Sequence, residues 1–84
     1  MELNEIIRAQ ILTLVENQLR IDQPKETRQA FERLKKLGYS DEDSKKLIAQ
    51  CIAVEIYNAF KYKKPYNEAK YIKNLKKLPE EPFD

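Results

Sequence analysis

One glycine and four prolines are the only strong chain breakers in 84 residues. Between them nonpolar side chains recur at three- and four-residue intervals, and no run alternates with period two for more than a few residues. The fold class expected is therefore all-α, with few stops and short connections. A chain of this length makes one domain around one core and buries about 60% of the surface its unfolded form exposes. Its stability is thin or shared with a partner.

The spacing predicts four helices. Over 3–20, Leu3, Ile7, Ile11, Leu14, Val15 and Leu19 keep helical order. Leu12 and Ile21 widen the stripe to about half the circumference, with Ile6 outside it. A face that wide either sits between two helices or meets another chain. The second helix, 24–37, opens on Pro24 with Glu26 at the positive end of its dipole. It turns Thr27, Ala30, Phe31, Leu34 and Leu37 inward and Arg28, Glu32, Arg33, Lys35 and Lys36 to water. Gly38 ends it in a left-handed conformation, with Tyr39 placed to pack back on Leu34.

Ser40 and Asp43 make a capping-box pattern ahead of a third helix, 41–62. This helix carries Leu47, Ile48, Cys51, Ile52, Val54, Ile56, Ala59 and Phe60, with Ala49 and Ala53 permitting close approach of a neighbour. Being the most apolar, it should be central, and the first and third helices should supply most of the core. Asn67 caps the fourth helix, 68–78, with Tyr66 and Tyr71 at hydrophobic-staple spacing and Tyr71, Ile72, Leu75 and Leu78 on its inner edge. Residues 1–78 then form one helical domain. Residues 79–84, with two prolines and three acids, read as a flexible acidic tail.

Composition narrows the function classes. At 42% hydrophobic and 36% charged residues the chain is too apolar for disorder and too broken by charge for a membrane span. No basic segment followed by an apolar stretch opens it, so a cytoplasmic location is expected. Histidine is absent and Cys51 stands alone, which removes the commonest general base, the commonest transition-metal ligand and any internal disulfide. Asp41, Glu42 and Asp43 are explained by the helix start, where consecutive carboxylates diverge. No enzyme activity, cofactor or metal is expected.

Residues 61–77 hold seven lysines against one acid, Glu68. The candidate basic surface is Lys61, Lys63, Lys64, Lys70, Lys73 and Lys77, interleaved with Tyr57, Tyr62, Tyr66 and Tyr71. Cations among aromatic rings suit single-stranded nucleic acid. The plainer reading is a solvated helix face with Lys70, Lys73 and Lys77 in water, and the stretch has no arginine. The turn Leu34 to Ser40 followed by a helix has helix-turn-helix rhythm, yet that helix opens on three acids that would meet phosphates. The same Leu-Gly-Tyr-Ser turn resembles ubiquitin-associated three-helix domains, for which the third helix is too long. Glu55 falls between Ile48 and Cys51 on the wheel, inside the apolar face, so it is a candidate buried polar residue. A salt bridge to an arginine of helix one or two, such as Arg8 or Arg28, or an orientation toward the helix edge, is expected ahead of a role as a perturbed acid or a contact in a groove.

Three motifs carry a resemblance. Pro24, Glu26 and Thr27 open one helix; Arg33, Leu34, Gly38, Tyr39 and Ser40 form the turn; Ile48, Ala49, Glu55 and Ile56 mark the next helix. With the closing run 65–79 they resemble a family of small bacterial helical domains of unknown function. The resemblance implies the fold and a bacterial-type cytosolic setting, and implies no activity. It also places a histidine early in the third helix, where this chain has Lys45 or Lys46, so a metal role does not carry over.

The reading that results is a non-enzymatic protein–protein interaction or self-associating module, with a protein partner or a second copy as in a homodimer. Nucleic-acid or acidic-surface binding through 61–77 is the alternative, and no membrane partner is expected.

Overall fold

The computed structural model describes residues 3–82, with the side chains of residues 3 and 4 left out of the description. Four helices follow in order: α1 (Leu3–Ile21), α2 (Lys25–Lys36), α3 (Asp41–Tyr62) and α4 (Glu68–Lys77). There is no strand among the described residues. The expected boundaries hold to within a residue or two, because each is set by local chemistry.

The α2 stop shows this best. Gly38 has φ +104°, the Tyr39 N–H donates to the Leu34 carbonyl at 3.1 Å, and the Gly38 N–H donates to that of Lys35 at 3.0 Å. These are the paired bonds of a Schellman motif. The Ser40 hydroxyl accepts from the Asp43 N–H at 3.0 Å to start α3, and the Asn67 side chain accepts from the Lys70 N–H at 3.0 Å to start α4. Pro24 is the N-cap of α2 rather than its first helical residue.

Helix α3 packs against all three others, and α2 against all three; α1 and α4 are not packed directly on each other. The core is Ile11, Val15 and Leu19 from α1, Ala30 and Leu34 from α2, Ile48, Cys51 and Ile52 from α3, and Tyr71, Leu75 and Leu78 from α4 and its end. The fourth helix thus contributes as much as the first or third, more than the spacing suggests. A radius of gyration of 12.4 Å agrees with about 12 Å for a compact chain of this length.

Several expected core positions are exposed. Ile7, Leu14 and Ile21 on α1, Leu37 after α2, and Ile56 and Phe60 on α3 all face solvent. The buried strip of α1 is a third of its circumference, not half. Leu37 ends α2, where the chain turns away from the core to reach Gly38. Phe60 lies about 120° around α3 from Ile48, off the inward face. The expected core role of Leu3 falls outside the described side chains, as do Phe83 and Asp84 of the tail.

Two arginines expected in water are instead capping groups. Arg28 donates to the Leu19 carbonyl at the end of α1 and lies 3.5 Å from Asp22. Arg33 donates to the carbonyls of Leu75 and Leu78, both at 2.9 Å, at the end of α4. Helix α2 therefore places cations at the negative ends of two neighbours, where the last carbonyls lack a full set of partners within their own helix.

A Cβ built on Gly38 meets no atom within 4 Å, so substitution there costs backbone strain alone. Gly38→Ala should lower the unfolding free energy by about 1 kcal/mol, and Gly38→Asn by less, since Asn tolerates the left-handed region. Urea titration of the three proteins checks this.

Candidate functional site

The inward face of α3 holds Ser44, Ile48, Cys51, Ile52, Glu55 and Asn58, a mixture of apolar and polar groups. Glu55 is 2% exposed. Its partner is neither Arg8 nor Arg28. Lys70, from the first turn of α4, brings Nζ to 3.8 Å from Glu55 Oε2, and that oxygen has no hydrogen bond. The sequence reading put Lys70 in water, but a carboxylate sealed under α4 draws the nearest cation of α4 inward. Glu55 is not among the residues lining the groove between α1 and α3.

Around it the titratable groups are held neutral. Burial, and then the charge of Glu55, pushes the Cys51 thiol up to about 12. Burial likewise pushes the Tyr71 hydroxyl up to about 12, against the opposing effect of its contact with Thr27. Burial also raises Tyr66, whose ring lies 6.2 Å from that of Tyr71 at 57°, as the staple spacing anticipates. A thiol this poorly ionised is no nucleophile.

A second polar cluster was not visible in the sequence. Thr27 Oγ1 lies 2.7 Å and Tyr71 Oη 2.8 Å from Gln18 Oε1, with both hydroxyls placed to donate, and the two hydroxyl oxygens are 2.9 Å apart. Two protons serve three contacts. The cluster joins α1, α2 and α4, and Thr27 had read as an ordinary small core residue. Its only sequence signal is a Thr at a core position of α2 and a Gln beside the core strip of α1.

The candidate basic surface is divided by the fold. Lys61, Lys63, Lys64 and Lys73 are exposed, whereas Lys70 and Lys77 are half-buried. Among the tyrosines, Tyr57 and Tyr62 are open, Tyr66 is partly covered and Tyr71 is buried. Phe60, expected on the apolar face of α3, is the most exposed large apolar residue among the described residues, at 86%. The ammonium of Lys61 lies 5.7 Å from the ring centre of Tyr57 and 5.2 Å from that of Tyr62, within cation–π range.

Two apolar features remain open on α1. On one flank a groove of about 400 Å³ runs between α1 and α3, lined by Arg8, Ile11, Leu12, Lys46, Ala49, Gln50 and Ala53. The two alanines leave the space, as their small side chains would for a neighbour. On the other flank Ile7, Leu14 and Ile21 are 43%, 45% and 52% exposed in one line. Among the described residues no group of three or more metal-ligating side chains comes together, and no helix is long and apolar enough to cross a membrane.

A family model described as a domain of unknown function, DUF1841, matches residues 3–77. The chain belongs to that family. No curated protein and no solved structure matches it. The DUF1841 match takes in α1 as well as residues 24–77 of the region whose motifs carried the resemblance, so the ridge, the groove and the Glu55 cluster all lie within the family domain. That description names no activity.

Two predictions follow from the buried groups. Lys70→Met leaves Glu55 buried without its cation and should cost about 2 kcal/mol, discounted from the roughly 3–5 kcal/mol of a fully buried pair because Lys70 is part exposed. The double variant Glu55→Met, Lys70→Met should return stability to the parent value or above, as measured by urea midpoints. The second concerns alkaline pH. Cys51 and Tyr71 bind their protons more tightly folded than unfolded, so the stability they contribute is intact below their ordinary values of 9.0 and 10.0. It is lost as the pH rises toward about 12. The urea midpoint should fall progressively across that window, and Cys51→Ala should flatten its lower part.

Proposed function

We propose that this DUF1841 chain is a non-enzymatic, self-associating module in which α1 meets α1 of a second copy. One observation carries the reading: Ile7, Leu14 and Ile21 stand exposed at seven-residue intervals along one side of the helix. The positions between them in the same strip, Gln10 and Asn17, are exposed and uncharged. The charged residues of α1 from Glu5 onward, namely Glu5, Arg8, Glu16 and Arg20, lie about 120° or more around the helix from Leu14.

A repeat of seven is the spacing of a coiled-coil seam, in which such residues meet a partner helix. The ridge is also symmetrical about its middle. If two copies run antiparallel around a two-fold axis at Leu14, each Ile7 faces Ile21 of the other copy and the two Leu14 side chains meet. That self-complementarity is what an isologous contact requires, and it is why a second copy is a better occupant than an unrelated helix. The ridge is short, so the dimer is weak, at or below the low end of stable interface sizes of about 1,200 Å².

Sedimentation equilibrium across a micromolar to millimolar range should show a reversible monomer–dimer equilibrium. Leu14→Lys sets two cations on the axis and should weaken association more than tenfold, by about 1.4 kcal/mol or more, with helicity unchanged because residue 14 is half exposed. Joint Ile7→Glu and Ile21→Lys substitution sets opposite charges across the axis and should restore part of the affinity lost by either change alone. A strict monomer throughout, or a dimer indifferent to Leu14→Lys, would remove this reading.

A further inference from the structure

The end of α3 and the connection after it concentrate rings and cations at one end of the helix, with Tyr57, Phe60 and Lys61 along one side and Tyr62 linked to them by the ammonium of Lys61. Tyr57, Phe60 and Tyr62 are 58%, 86% and 50% exposed, and Lys61, Lys63 and Lys64 are exposed among them. Residues 56–67 contain no acid. Glu55, just before them, is sealed under α4 beside Lys70. From this we infer that the surface formed by Tyr57, Phe60, Lys61, Tyr62, Lys63 and Lys64 binds single-stranded nucleic acid without regard to sequence.

The chemistry of the patch selects this partner over other anions. A phosphate backbone needs cations, and unstacked bases need ring faces; the patch supplies both within one turn of helix and the residues after it. The place of Lys61 is telling, since its ammonium is near the centres of two rings at once. The rings therefore turn their faces, the surface on which a base stacks, to the place where a cation sits. A base on Tyr57 with its phosphate drawn to Lys61 would keep both kinds of contact.

The patch offers little to read a base edge. Over 56–66 the one amide side chain, Asn58, is buried, and there is no arginine. Asn67 is engaged as the N-cap of α4. A duplex hides its base faces, so it would gain from the lysines alone. A bilayer would gain little, because among the large side chains the segment exposes Phe60 and Ile56 are all hydrocarbon while Tyr57, Tyr62 and Tyr66 end in hydroxyls, and stable surface binding takes a broader apolar face. The fold has also moved the site away from where lysine count alone puts it. Lys70 and Tyr71 are withdrawn into the body of the protein, and Phe60 is added.

The test uses the full chain with a fluorescent oligothymidylate and an oligouridylate of equal length. Both should bind at low salt, with the log of the affinity falling against the log of salt at a slope of about −2, as three lysines at about 0.7 each give for single strands. A duplex of the same length should bind at least several-fold more weakly. Phe60→Ala and Tyr57→Ala should each weaken single-strand binding about fivefold or more without changing the slope, while Lys64→Met should reduce the slope by about 0.7. Circular dichroism should show all three variants folded, as their side chains are exposed. Absence of binding at low salt, affinity indifferent to both ring variants, or binding to phosphatidylserine vesicles but not to the oligonucleotides would overturn the proposal.

Discussion

The bundle depends on how α4 is held. Ten residues are too few for a helix to persist alone in water, so α4 exists because its side chains and its last carbonyls find partners on other elements. Tyr71 is the centre of this: its ring is fully buried and its hydroxyl meets Gln18 of α1 and Thr27 of α2. Arg33 donates to the Leu75 and Leu78 carbonyls at the other end of the helix. Since α1 and α4 do not pack directly, the Gln18 and Tyr71 contact is what ties the first helix to the last. Buried polar groups of this kind are worth little net free energy when satisfied, and cost about 1–3 kcal/mol each when one partner is lost. Their effect is to make one arrangement of four helices much better than its rivals.

The same logic explains the odd composition of α3. A central helix might be expected to be apolar wherever it is covered, yet Ser44, Glu55 and Asn58 share its inward face. Glu55 has a cation from α4, so the docking of α4 also neutralises a charge that α3 could not bury alone. Placement of the last helix is thus fixed by hydrogen bonds to α1 and α2, by an ion pair to α3 and by a cap from α2. Cys51 lies amid these groups and is chemically quiet for the same reason they are fixed: no water reaches it.

Sequence made the four helices and their ends legible because those depend on neighbours in the chain. Gly38 needs a left-handed turn, and Ser40 and Asn67 need only the N–H three residues on. The contents of the core were less legible. An apolar stripe says which side chains avoid water, not how many helices are present to cover them, so Ile7, Leu14 and Ile21 looked the same as Ile11, Val15 and Leu19. Charged residues misled in the opposite direction. Arg28, Arg33 and Lys70 occupy the water side of a wheel drawn for their own helix, and each is drawn to a group on another: two to carbonyls at helix ends, one to a buried carboxylate. Of the candidate site, Glu55 was legible as a contradiction within α3, though its partner was not. Phe60 was placed in the core, although its angle from Ile48 pointed outward.

Helix α1 has two open flanks with different characters. The Arg8 and Leu12 side closes on α3 around the groove, with cations Arg8 and Lys46 at its edge. The opposite side carries the uncharged ridge. By helical spacing Ala49, Ala53, Ile56 and Phe60 follow one another along α3, so the groove leads toward the exposed Phe60. On the proposals above, two copies joined along the ridge would carry two such sets of rings. Each copy would then need to hold a strand only weakly, since a strand long enough to reach both sites binds the second as an intramolecular event. Weak self-association and weak strand binding in a chain of this size would in that way reinforce each other, without any new contact within either copy.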